Sequence, residues 1–328
     1  MAVTQQMLDA LAATIADYRE GEIDKPSAQH VEKWLAQFDQ GLRTQLLSEI
    51  THILGQTYIA KMRVEAFLAA LVTNQKLAGD RPKEFWKKAK FLDLQKHGSS
   101  QRELVAMIDV PLKAETGYGV ADCGTDQPAC FVYLDDGLFT GNTILNDLRG
   151  WLKDSAPKEA VVHVIVMALH RGGQYYAQTE LAKAAKQLDK KVEFKWWRIV
   201  ELEDRKTYIK DSDVLRPTKI PEDEATKAYG KSLKFSPTLR PAGSLGTLKI
   251  FSSEEARELV EQQLLIKGVY IRTKSPKLKE YARPLGNMVL SSLGFGSTIV
   301  TFRNCPNNAP LAFWAGAPWY PLFPRKTN

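Results

Sequence analysis

The chain has 328 residues, 44% hydrophobic and 25% charged, which is the composition of an ordinary soluble protein with room for a sizeable core and two domains. Its formal charge of +7 admits a polyanion such as nucleic acid, or a phosphorylated substrate, and demands neither. Five histidines without HxxxH or HExxH spacing argue against a zinc site, and three cysteines (Cys123, Cys130, Cys305) without a CxxC pair point to a reducing, cytoplasmic compartment. No apolar run reaches the length of a membrane span, and Asp9 and Asp17 break any signal-peptide pattern, so no membrane association is expected.

Residues 1–80 read as helices. Met7, Leu8, Leu11, Ile15 and Tyr18 form one apolar stripe, and Val31, Trp34, Leu35 and Phe38 a second. Leu46, Leu47, Ile50, Ile53 and Leu54 form a third, and Val64, Phe67, Leu68 and Leu71 a fourth. Core packing is the expected use of each, with a partner-binding helical cap as the alternative. Gly79-Asp80-Arg81-Pro82 marks a first boundary. Residues 83–96 are basic and aromatic, which suits a solvated helix with a packed aromatic face, or a nucleic-acid contact.

Residues 91–95 read as a strand, and a helix is expected through Leu104, Val105 and Ile108. Between them lies a Gly/Ser loop, Lys96, His97, Gly98, Ser99, Ser100 and Gln101. Its free N–H groups suit an anion, and its serines equally suit a helix N-cap. Residues 113–130 carry little apolar periodicity and read as an irregular segment.

The central stretch is residues 131–144. A short apolar run, Phe131 to Leu134, ends at two carboxylates, Asp135 and Asp136. A loop follows through Gly137, Leu138, Phe139, Thr140, Gly141, Asn142 and Thr143, and then Ile144, Leu145, Leu148, Trp151 and Leu152 recur at helical spacing. A helix N-terminus with threonine hydroxyls favours a phosphate, and Gly141 lets the backbone come close to it. Two adjacent carboxylates are a costly pair of like charges in a plain turn. They suit the hydroxyls of an attached ribose, or a hydrated Mg²⁺ ion.

This order of strand, Asp-Asp, three residues and Thr-Gly-x-Thr resembles the phosphoribosyl-pyrophosphate motif of type I phosphoribosyltransferases. The resemblance implies that Asp135 and Asp136 hold the ribose hydroxyls, with Mg²⁺ nearby, and that residues 137–143 hold the 5′-phosphate. It also implies that the Lys96–Gln101 loop receives the pyrophosphate, and that residues 113–130 form the loop that closes over the site.

Further along, residues 160–169 form a β-branched run expected to be a buried parallel strand, with His163 as a satisfied core histidine. The run ends at His170-Arg171-Gly172-Gly173, on the sheet edge where ligands bind, which makes Arg171 a candidate for a phosphate or base. A helix through Leu181 and Leu188 and a strand over 192–199 follow. Residues 201–245 read as a polar, proline-containing excursion. Within them Gly230-Lys231-Ser232 mimics the end of a P-loop, but Ala225 replaces the required first glycine and the match is rejected. A helix over 253–266 precedes two short apolar segments, 268–271 and 297–302.

The tail is rich in Asn, Pro and Trp. Its Asn304, Asn307 and Asn308 suit a base edge or a pyrophosphate, or simply turns. With this ending the chain resembles, over roughly residues 85–325, the phosphoribosyltransferase-like proteins of bacterial conflict (anti-phage defence) systems.

The expected fold is an α/β, type I phosphoribosyltransferase-like, mainly parallel sheet with helices on both faces. It has a helical N-terminal region (1–80), a core (83–245) and a C-terminal hood-like addition (246–328). The expected activity is transfer of a ribosyl-phosphate group from phosphoribosyl pyrophosphate or a related nucleotide. Two rivals are carried: a defence effector that modifies nucleic acid or nucleotides with the same site, and a non-catalytic nucleotide sensor. Defence-system proteins and nucleic acid are the expected macromolecular partners.

Overall fold

Two side-chain caps start the N-terminal helices. Thr4 accepts from Met7 N ahead of α1 (Gln5–Thr14), and Ser27 accepts from His30 N ahead of α2 (Ala28–Leu35), each satisfying a donor that the helix start would leave open. The computed structural model describes residues 2–95 and 99–326. The third stripe forms α3 (Arg43–Thr57), which runs into a two-residue strand, β1 (Tyr58–Ile59). The chain packs as two compact units: the chain up to Lys61 together with everything from Leu202 onward, and Met62–Glu201.

In the Met62–Glu201 unit, α4 (Lys61–Val72), α5 (Gln75–Ala78) and α6 (Pro82–Lys87) precede β2 (Ala89–Phe91). Then come α7 (Ser100–Thr116), β3 (Cys130–Leu138), α8 (Asn142–Asp154), β4 (Glu159–His170), α9 (Arg171–Gln187) and β5 (Lys191–Leu202). The four strands stand in the order β2-β3-β4-β5, with β2/β3 and β3/β4 parallel, and helices cover both sides. Ile144, Leu148, Trp151 and Leu152 of α8 and Ala177 and Leu181 of α9 pack with Phe131, Tyr133, Val162, Val164 and Val166 in one apolar cluster. Each large aliphatic side chain buried this way contributes roughly 1.5–3 kcal/mol.

The basic-aromatic segment packs its aromatic face. Trp86 is fully buried, donates its indole N–H to Val72 O, and stacks on Phe91. His163 is satisfied in the core, accepting from Trp197 Nε1 at 3.1 Å, and burial pushes its pKa down to about 4.

Three local expectations need correction. The strand expected over 91–95 lies over Ala89–Phe91, because Leu94 N and Gln95 N donate to the Gln101 side chain and leave the ladder. Helix α7 continues to Thr116, so residues 113–116 are not irregular, and Gly117 then ends the helix in a left-handed conformation. The segment 268–271 is part of α11, described below.

The other unit gathers both ends of the chain. It adds α10 (Glu224–Ser232), α11 (Glu254–Lys274), β6 (Val300–Thr301) and α12 (Leu311–Trp314), and β1 pairs with β6 in parallel, Tyr58 opposite Val300. Gly230, Lys231 and Ser232 lie inside α10, as suits the rejected P-loop match. Helix α11 runs through Gly268 because Pro284 passes there, and a Cβ would sit 2.5 Å from Pro284 O. Gly268 is thus a close-packing position inside the helix.

Tail aromatics are anchored among the N-terminal helices. Trp34 Nε1 and Trp319 Nε1 both donate to Ala312 O, and Phe313 and Phe323 are fully buried. A buried ion network holds the 201–245 excursion: Glu261 accepts from Arg257 Nε at 2.9 Å, Arg240 Nε at 3.0 Å and Arg216 N at 2.9 Å. Among the described residues no helix is long and apolar enough to cross a membrane.

Candidate functional site

Strand β3 carries the acidic pair at its C-terminal end, the edge at which parallel sheets place ligands. Asp135 is only 4% exposed. Its Oδ1 accepts from Ser100 Oγ at 2.9 Å and from Asp136 N at 2.8 Å. Burial, and then the neighbouring Asp136 charge, push Asp135 up to about 8, while the Ser100 bond pulls the other way. Asp136 is half-buried at the next position. The two residues thus differ in environment although they are adjacent in the chain.

The start of α7 is built around this carboxylate. Gln101 Oε1 receives Leu94 N and Gln95 N, and its Nε2 donates to Leu134 O at 3.3 Å. Gln95 Nε2 donates to Ser100 Oγ at 2.8 Å. Ser99 occupies the N-cap position without a side-chain cap bond, and its hydroxyl reaches Glu103 instead. Ser100 and Gln101 therefore meet β3, whereas Lys96, His97 and Gly98 of the same candidate loop lie outside the described residues.

The phosphate-loop expectation needs one adjustment. Gly137 and Leu138 continue the strand, paired with Ala168 and Leu169, so the turn itself is only Phe139, Thr140 and Gly141. Leu138 points into the core at 1% exposure. Gly141 has φ +83° and begins α8, to which no side chain offers a cap. Thr140 is half-buried, and Asn142 and Thr143 are exposed. The first N–H groups of α8 and these three side chains thus lie at an uncapped helix start, an arrangement that suits an anion.

Two glycines hold the turn against the next crossover. A Cβ on Gly141 would collide with Gly173 O, and one on Gly173 would collide with Phe139 O. His170 closes the turn from below: it is fully buried, bonds Leu138 O through Nδ1 at 3.3 Å, and lies 5.0 Å from the Phe139 ring. Burial pushes it down to about 3, so it stays neutral. Gly173 and His170 lacked a motif of their own in the sequence. Their one signal was the Gly-Gly pair placed directly after a buried strand.

Of the remaining candidates, Arg171 is exposed and donates Nε to Glu201 Oε1, while Arg198 pairs with Oε2 of the same carboxylate. The segment after α7 is tied down by Val120 N to Asp109 Oδ1, Gly124 N to Lys87 O and Ala129 N to Lys88 O. Asn304 and Asn308 belong to the unit of the chain ends. There Asn304 Oδ1 accepts from Cys305 N and Lys326 N, Asn308 Nδ2 donates to Asn287 O, and Asn307 O accepts from Asn287 N.

For a hard cation the available ligands are Asp135 and Asp136, and among the described residues no cluster of three or more His, Cys, Asp or Glu forms a metal cage. Two carboxylates without a full cage suit Mg²⁺, which keeps waters and takes its other ligands from a substrate phosphate.

A family model described as PRTase-CE, a phosphoribosyltransferase-like family, matches residues 31–325. No curated protein and no solved structure matches the chain.

Proposed function

Because the chain belongs to the PRTase-CE family, we propose that it binds phosphoribosyl pyrophosphate or a related nucleotide with Mg²⁺ and transfers the ribosyl-phosphate group. One observation carries the reading: the carboxylate pair at the end of β3, one member buried and one half-buried, leads five residues later to the N-cap of an uncapped helix. A phosphate at α8 and ribose hydroxyls at Asp135 and Asp136 match the two ends of a ribose 5-phosphate.

In the proposed reaction the bond from the anomeric carbon to pyrophosphate breaks and its electron pair leaves with the pyrophosphate. Asp136 stabilises the positive charge that develops on the ring, and Asp135 holds a ribose hydroxyl. Thr140, Thr143 and the α8 N–H groups hold the 5′-phosphate, so that remote binding energy orients the sugar. Bound Mg²⁺ would supply charge neutralisation for the leaving group, and Asp135 and Asp136 are the residues to hold it.

The testing experiment is calorimetric binding of phosphoribosyl pyrophosphate with Mg²⁺ to wild type and to Thr140→Ala/Thr143→Ala. Binding in wild type and its loss in the variant are expected. Absence of binding in wild type, with a plain nucleotide binding instead, would overturn the donor assignment.

We further propose that the protein acts in the cytoplasm as an effector in a bacterial anti-phage defence system, in keeping with its family and its three buried free cysteines. The +7 charge supports a polyanionic acceptor. A nucleic-acid affinity that does not change across a salt titration would count against that acceptor.

The burial of Asp135 favours one second reading, a nucleotide sensor without turnover, because a carboxylate held neutral binds a sugar hydroxyl without chemistry. Asp135→Asn/Asp136→Asn separates the two: only the enzyme loses a product.

A further inference from the structure

The unit of the chain ends contains a cavity of about 370 Å³, built entirely from residues 204–295. Small-molecule pockets start at roughly 300 Å³. One wall is apolar: Leu215, Pro217, Met288, Leu293 and Phe295, with Phe235 and Leu290 at the rim, 55% and 53% exposed. The rest of the lining includes two cations, Arg216 and Lys206, and one carboxylate, Asp204.

Arg216 is the unusual member. Its backbone N–H goes to Glu261 and its Nη2 to Asp204 O, but its buried Nη1 has no hydrogen-bond partner among the described residues. A buried guanidinium N–H without an acceptor costs free energy that an anionic ligand would recover. The walls are already fixed. Leu215 N donates to Gly296 O at 2.8 Å, Lys234 N to Ser291 Oγ at 3.0 Å and Tyr229 OH to Ser292 O at 3.0 Å. Burial lowers the Arg216 pKa from its usual value, which marks how far this charge has been taken from water.

We propose that this cavity is a second small-molecule site, taking a ligand with a flat apolar body and one anionic head, phosphate or carboxylate. The head meets Arg216 and Lys206, and the body lies against Met288, Leu293 and Phe295 under the rim of Phe235 and Leu290. The proposal is independent of the site on β3.

The test is ligand-observed NMR titration of AMP, 2-naphthoate and inorganic phosphate against full-length Thr140→Ala/Thr143→Ala protein, in which the α8 phosphate turn is disabled. Binding of AMP or 2-naphthoate well ahead of inorganic phosphate is expected, and which of the two binds identifies the head group. Arg216→Gln and, separately, Leu290→Asp should each weaken that binding about tenfold or more. Leu290 is exposed, so its variant carries the test even if Arg216→Gln does not fold. The proposal is overturned if neither aromatic anion binds, if inorganic phosphate binds as well as they do, or if binding survives Leu290→Asp unchanged.

Discussion

Ser100 Oγ donates a 2.9 Å hydrogen bond to Asp135 Oδ1, joining the first turn of α7 to the end of β3. This bond favours the charged form of a carboxylate that burial otherwise keeps neutral. Ser100→Ala removes it and leaves Oδ1 with only Asp136 N. Denaturant titrations should show a loss of roughly 1–3 kcal/mol at pH 9, where Asp135 is ionised, and a smaller loss at pH 6. Equal losses at both pH values would mean that the hydroxyl fills space and does not stabilise the charge.

Asp135 also sets a pH dependence with a definite sign. An ordinary Asp titrates near 3.8, and this one is pushed up to about 8, so the native state holds a proton that the unfolded chain has released. Its contribution to stability is fully present below pH 3.8 and is lost as pH rises through about 8. His163 and His170 act in the opposite sense. They are pushed down to about 4 and 3 from 6.5, so their contribution grows as pH rises and is complete above 6.5. The Asp135 effect is therefore separated from theirs between pH 6.5 and 8, where stability should fall. Asp135→Asn should flatten that window in a series of thermal melts and steepen the rise with pH below 6.5, where Asp135 opposes the histidines.

The Phe139–Gly141 turn should tolerate no side chain at either glycine. Gly141→Ala places a Cβ at φ +83° against Gly173 O, and Gly173→Ala places one against Phe139 O. A strained left-handed residue alone costs roughly 1–3 kcal/mol. Each variant should lose at least that in chemical denaturation and should also lose phosphate-ester binding by calorimetry, since the turn must move. Gly150 is the control: no heavy atom lies within 4 Å of its added Cβ, and Gly150→Ala should leave binding unchanged.

The α/β core was legible because its two central strands, β3 and β4, contain continuous apolar runs. Val162 to Leu169 could only be buried, and the Asp-Asp corner followed from residue order. Gln101 was less legible: in the sequence it closes a Gly/Ser loop, while in the fold its amide stands in for a strand partner of Leu94 and Gln95. Long-range pairing left no periodic trace either. Nothing in Tyr58-Ile59 announces Val300-Thr301 as its neighbour, because two residues are too few to show a pattern. Arg257 and Glu261, four apart on a helix, look like an ordinary solvated pair and are completely buried.

That buried pair supports the last prediction. Glu261 is the common acceptor for Arg257, Arg240 and the backbone of Arg216, and Arg257 also donates to Ser212 O, Val214 O and Ser244 O. One carboxylate thus sits between two guanidiniums, of which Arg240 also reaches Glu254 and Arg257 lies over the Phe251 ring. Glu261→Gln keeps the shape and one acceptor but leaves two buried cations with less charge compensation. Removing one partner of a buried ion pair costs roughly 3–5 kcal/mol. Denaturation of Glu261→Gln should show a loss of this order, and proteolysis should nick the 201–245 segment before the rest. Glu258→Gln, on the same helix but part-exposed, should cost less than about 1 kcal/mol. If the two variants were equally stable, the network would be incidental to the packing of the excursion.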